Sequence, residues 1–186
     1  VNKSPGRNVL FSGAGVGGHC ITKDPWLLAH GAPGLEPKVI AAARARNDGM
    51  PRHVLTLVRD ALEDAGKSLE GAKLAVLGYA YLEESDDTRN SPSATFIQAA
   101  KDAGAECVVH DPWVHEYKGD LWKALEGADA AVLLVAHSAY RDLDLAALSK
   151  TLRTPVLVDA RHMVSRGKAK AAGLVFRGLG RAAESK

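Results

Sequence analysis

Cysteine is scarce in this chain: two residues, Cys20 and Cys107, among 186. They form no Cys-x-x-Cys pair, so the sequence offers neither a disulfide framework nor a zinc finger, and no metal site is expected. A reducing, cytoplasmic setting fits that usage. Aromatic residues make up only 5%, the net charge is +2 and the pI is near 8.6. No dense basic run with interleaved aromatics stands out, so nucleic acid is not an expected partner. No apolar stretch approaches the roughly 18 residues of a membrane span, and no secretory signal is visible. An initiator methionine is missing as well. "VNKSPGRNVLF" runs straight into a glycine cluster, the pattern expected of a piece of something longer.

What is present is an ordinary globular composition, 46% hydrophobic and 25% charged, in a chain long enough to bury a core. Three zones follow one another. Residues 1–35 are dominated by the glycine loop "SGAGVGGHC" and a short helix, "DPWLLAHG", with Asp24 as its cap, Pro25 as its first residue and Gly31 as its stop. Residues 36–68 carry apolar positions at helical spacing, among them Val39, Ile40, Ala43, Val54, Val58 and Leu62. They predict a long connecting helix, kinked or restarted at Pro51, with one face left for a second subunit. Residues 69–186 alternate. "KLAVLG", "ECVVHDP", "AAVLLVA", "TPVLVDA" and "GLVFRG" read as buried strands. Helical patterns lie between them at 91–103 and 120–125. Such alternation predicts an α/β fold with a doubly wound, mainly parallel, Rossmann-like sheet. Ligands on such sheets lie at the carboxyl ends of the strands. The final "RAAESK" reads as a frayed tail.

The glycine loop has three readings on its own residues. Gly13, Gly15 and Gly18 match a dinucleotide fingerprint, but the next helix signal comes only at Asp24-Pro25 and no second strand follows. Alternatively, Cys20 is a nucleophile lying just before a helix N-terminus. Lys23 then adds a nearby cation, Gly17 and Gly18 let backbone N–H groups reach an oxyanion, and Asp24 activates a water or relays a proton. In the blandest reading Cys20 is a small buried hydrophobe and Asp24 a helix cap. Cys107, inside an apolar strand, reads as core.

Three ordered motifs decide among these readings by resemblance. "GAGVGGHCITKDPWLL" resembles the active-site loop of the UDP-glucose/GDP-mannose dehydrogenase family. The form Gly17-Gly18-His19-Cys20 is similar to that of the branch acting on UDP-N-acetylhexosamines, UDP-N-acetylmannosamine above all. "ARARNDGMP" resembles the family's central helix, which pairs subunits. "KLAVLGYAYLEESDDTRNSPS" with "GAECVVHDP" resembles the start of its C-terminal nucleotide-sugar domain. The resemblance implies oxidation of the sugar C6 alcohol in two steps to a uronic acid, with NAD receiving both hydrides, in polysaccharide biosynthesis. Cys20 is implied as the residue that forms a thiohemiacetal and then a thioester, and Asp24 as its proton-transfer partner. Gly17, Gly18 and His19 are implied at the sugar. Arg89 and Arg161 are implied at the nucleotide and cofactor, with Lys23 on the cofactor side; arginine suits phosphate because its planar fork donates two parallel bonds. A homodimer through the central helix is implied too.

Two departures qualify that picture. The family places an NAD-binding domain, and a lysine and asparagine that polarise the sugar oxygen, ahead of the glycine loop. Their absence here implies that this chain alone is inactive. The family also has Phe-Lys where this chain has Tyr81-Leu82. Losing one charged hydrogen bond costs about 1.5–3 kcal/mol, roughly ten- to a hundredfold in affinity. The competing expectations are a non-catalytic nucleotide-sugar binding or assembly module, and a free-standing dinucleotide-binding protein.

Overall fold

A computed structural model describes residues 11–32, 34 and 36–181. The expected strand at 8–11 and the tail from 182 lie outside the described residues, Phe11 and Arg181 excepted.

The strands are β1 (Lys73–Leu77), β2 (Glu106–His110), β3 (Ala130–Leu133), β4 (Val156–Asp159) and β5 (Val175–Gly178). They form one parallel sheet in the order β2-β1-β3-β4-β5, with Leu74 opposite both Cys107 and Ala130. β1, β3 and β4 lie inside the sheet and are almost wholly buried. They therefore read in sequence as unbroken apolar runs rather than alternating ones. Order reverses between β1 and β3, which opens a crevice at their carboxyl ends.

Seven helices lie among the described residues. These are α1 (Cys20–His30), α2 (Lys38–Asp48), α3 (Met50–Asp64), α4 (Pro92–Asp102), α5 (Leu121–Leu125), α6 (Leu145–Thr151) and α7 (Arg166–Ala171). One face of the sheet, with Leu74, Val76, Val132 and Val158, packs against Val54, Val58 and Leu62 of α3 and Phe96 and Ala100 of α4. The other, with Leu77, Leu133 and Leu157, meets Leu125 of α5, Leu148 of α6 and Ala169 of α7. Fully burying a Val, Leu or Phe side chain contributes about 1.5–3 kcal/mol, so these two layers carry the fold.

The long connecting helix is two helices. It breaks at Gly49 and restarts with Pro51 as the second residue of α3, where a missing N–H costs nothing. The expected free apolar face is not found on α3. The stripe of α3 is spent on its own sheet, whereas α2 buries only Arg44. Cys107 is half-buried against the same core, and burial pushes its thiol pKa up. Among the described residues no helix is long and apolar enough to cross a membrane.

Candidate active site

The site begins with a correction. Helix α1 starts at Cys20, not at Pro25, so Asp24 is not its cap but lies one turn inside, and Pro25 is its sixth residue. His19 occupies the cap position without a side-chain hydrogen bond, which leaves first-turn N–H groups of α1 without a side-chain cap. Cys20 is exposed; the packed-hydrophobe reading fails for it. Its sulfur lies 3.9 Å from His19 Nδ1. Residues four apart share a helix face, and Cys20 and Asp24 line one open cleft of roughly 560 Å³. Ile21, Pro25 and Leu28 line it as well, as do Ile40, Ala43 and Arg44 of α2. Lys23 Nζ donates to Asp24 Oδ1 at 2.5 Å, and that bond raises the lysine pKa.

The glycines before Cys20 make room, but for the protein's own chain. A Cβ on Gly17 would sit 2.5 Å from the Asn90 carbonyl oxygen and 2.7 Å from Tyr81 Cβ. One on Gly18, whose φ is +84°, would meet the Tyr81 ring at 2.9 Å. The Gly18 N–H donates to the Arg89 carbonyl at 2.8 Å, so it is not free for an oxyanion, contrary to expectation. Gly18 O accepts from Thr22 Oγ1 at 2.7 Å and from Asn90 Nδ2 at 3.0 Å. On the other side, Asn47 of α2 accepts the Val16 N–H at 2.8 Å. The fingerprint glycines do not cradle a dinucleotide either: α2 follows α1 where a second strand is needed, and a Cβ on Gly13 would lie 2.6 Å from Arg161 Nη1.

The loop from Gly78 to Ser91, at the carboxyl end of β1, supplies most of these partners. It is tied down from beneath. Asp111, wholly buried after β2, accepts N–H groups from Tyr79 (2.6 Å), Ala80 (3.0 Å), Trp113 (2.8 Å) and Val114 (3.1 Å) and from His137 Nε2 (3.1 Å). His137 Nδ1 accepts the Glu84 N–H, and the Glu84 carboxylate accepts from Ser138 N and Oγ. Burial alone pushes the Asp111 carboxyl pKa up. The bonds from His137 and the backbone outweigh it and hold it well below the ordinary aspartate value.

Arg89 lies in the loop after β1 and Arg161 just after β4, each in an ion pair. Arg89 grips Asp87 through Nε (3.0 Å) and Nη2 (2.5 Å), which pulls the Asp87 pKa down to about 2. Arg161, four-fifths buried, reaches Glu83 at 3.1 Å, and its buried Nε has no partner among the described residues. Tyr81 packs on Gly18, Tyr79 pairs with Tyr117 at 4.6 Å, and Leu82 is 47% exposed. Thr22, Asn47 and Asn90 escaped the sequence reading. The one local hint was Asn90, set between Arg89 and the Ser91-Pro92 helix start.

Comparison with known proteins settles the family. Residues 1–49 match the central domain of the UDP-glucose/GDP-mannose dehydrogenase family and residues 75–166 its UDP-binding domain. The chain belongs to that family. Among its members, UDP-N-acetyl-D-mannosamine dehydrogenase of Pyrococcus horikoshii is 36% identical over 97% of this chain and 42% of its own length. UDP-glucose 6-dehydrogenase of Rhizobium meliloti is 31% identical over 95% and 42%. The crystal structure of an NDP-N-acetyl-D-galactosaminuronic acid dehydrogenase from Methanosarcina mazei superposes with a TM-score of 0.86 at 38% identity, over 93% of this chain and 40% of the other. The chain thus spans about two-fifths of the length of these family members.

Proposed function

We propose that this chain carries the covalent-catalysis and nucleotide-binding parts of an NAD-linked UDP-N-acetylhexosamine 6-dehydrogenase. The observation that carries the reading is the exposed Cys20 thiol at the head of α1, sharing a cleft with Asp24 one turn on. In this reading residues 1–35 are the catalytic loop, 36–68 the dimer-forming connector, through its α2 half, and 69–186 the nucleotide-sugar domain. Arg89 and Arg161 exchange carboxylate for phosphate when the nucleotide arrives. The N-acetylhexosamine assignment rests on the Gly17-Gly18-His19-Cys20 form, because the relatives' names span mannosamine, galactosaminuronic acid and glucose.

The chain's own residues act on the aldehyde and the thioester. The Cys20 thiolate adds to the C6 carbonyl; a C–S bond forms and the oxygen takes a proton, giving a thiohemiacetal. Loss of a hydride from C6 and a proton from its hydroxyl gives the thioester. Water then adds to that carbonyl while Asp24 takes its proton. The C–S bond breaks, the thiolate leaves and a carboxylate is released. With the Gly18 N–H already spoken for, the C6 oxyanion has the uncapped first-turn N–H groups of α1 as donors. NAD would accept the hydrides, and the described residues form no cradle for it.

The test is Cys20→Ala in the complete gene product. Four-electron oxidation of the UDP-sugar should fall by roughly a thousandfold or more, with free aldehyde trapped by semicarbazide. A Cys20→Ala enzyme that still delivers the uronic acid at the normal rate sinks the reading. Leu82 favours a second reading, a binding or assembly module, because an exposed leucine gives no charge to a phosphate. Calorimetric binding of UDP together with a Cys20 that is dispensable for turnover would select it.

A further inference from the structure

We propose that Asn90 is a positioning residue for Cys20: by holding Gly18 and Thr22 it sets the first turn of α1 and so aims the thiol. The inference rests on reading Cys20 as the nucleophile. Three observations meet at this residue. Its side-chain amide donates to Gly18 O at 3.0 Å and to Thr22 Oγ1 at 3.2 Å, on either side of Cys20 in sequence. Its backbone stands at φ +49°, a left-handed conformation that asparagine tolerates better than most residues. That turn brings its carbonyl oxygen to within 2.5 Å of where a Gly17 Cβ would lie. The preceding residue completes the grip, since the Arg89 carbonyl accepts the Gly18 N–H. Gly18 is therefore held at both its N–H and its C=O by two consecutive residues from a loop about 70 positions away.

The grip matters because little else among the described residues fixes α1. The helix has no buried residue and no side-chain cap, and Pro25 has no N–H to return to the Ile21 carbonyl. Displacing a nucleophile by about 1 Å can cost on the order of a hundredfold in rate. Asparagine meets three requirements here: a left-handed backbone, a donor facing a carbonyl, and a short reach. Aspartate keeps the first and the third but turns an acceptor on Gly18 O, and glycine keeps only the first.

Covalent capture keeps the aldehyde from leaving, so a misaimed thiol should leak it, which a generally weakened fold does not predict. The experiment uses the complete gene product with Asn90→Gly, Asn90→Asp and Cys20→Ala. Hydroxylamine-trapped aldehyde and NADH formed per sugar are measured, with amide exchange at Gly18 as an independent readout. Both Asn90 variants should release about tenfold more aldehyde per turnover, with NADH per sugar falling from two towards one. KM should stay within about twofold, and the Gly18 amide should exchange faster. If Cys20→Ala leaks aldehyde while both Asn90 variants keep two NADH per sugar and leak none, whatever their melting points, the positioning role is overturned. If Cys20→Ala leaks none, the nucleophile reading falls first and this inference with it.

Discussion

Each end of the sheet holds a completely buried aspartate, Asp129 at the amino end and Asp111 at the carboxyl end (where Asp159 is buried as well), and these two are held in different ways. At the amino end, Asp129 is gripped by the Arg153 guanidinium, with Nε at 2.8 Å, by Thr154 Oγ1 and by the Lys73 N–H, and Lys67 stands 3.4 Å away. At the carboxyl end, Asp111 has no cation from lysine or arginine among its bonds; four backbone N–H groups and one imidazole surround it. Apart from the Lys73 N–H, the amino-end partners are side chains, and the Arg153 guanidinium, 53% exposed, can turn to water. The carboxyl-end partners are the roots of the loops that shape the Cys20 site. One aspartate fastens the fold, and the other fastens the chemistry to it.

Replacing each aspartate would break that contrast or sharpen it. Asp111→Ala should have the largest effect, a loss on the order of 4 kcal/mol, because it strands several buried N–H donors at once. Urea unfolding would measure it, and amides of residues 79–91 should lose exchange protection first. Asp129→Ala should cost about 2 kcal/mol, because Arg153 and Lys67 can hydrate and only the Lys73 N–H and Thr154 are left wanting; protection in 79–91 should be unchanged. Equal losses with the same exchange pattern would erase the distinction. Acid should have the smallest effect near neutrality. Burial pushes both carboxyls up, but their hydrogen-bond partners hold each below the ordinary value of 3.8. The unfolded chain therefore takes up protons first. The stability the two groups contribute is complete above about pH 5 and drains away as pH falls below about 4 towards the folded-state values. Unfolding midpoints between about pH 6 and pH 2 should show that slope, and Asp111→Asn should flatten it.

The sheet was almost fully legible. "KLAVLG" became Lys73–Leu77 and "TPVLVDA" became Val156–Asp159, because strands buried on both faces are written as apolar runs. Ser91-Pro92 was legible for a similar local reason: Ser91 Oγ accepts the Ser93 N–H and caps α4. Asp24-Pro25 carried the same kind of signal and misled. The grip of Arg89 and Asn90 on Gly18, which lies far away in sequence, sets where α1 begins. Cys20 and Asp24 were singled out four residues apart, but their own residues left the pairing open, because a helix begun at Asp24 does not put both on one face. Asn47 and Asn90 could not be placed at the site, since a side chain bonded to a remote backbone leaves no period to read. Helices α6 and α7, of seven and six residues, were too short to announce themselves.

The nakedness of α1 has a mechanical side. Trp26, Leu27 and Leu28 stand 47%, 58% and 63% exposed along a helix that buries nothing. Among the described residues its anchor is Gly18, two positions before the thiol, like the clamped end of a cantilever. A push on those apolar side chains from outside would be felt at the sulfur before it was felt in the core.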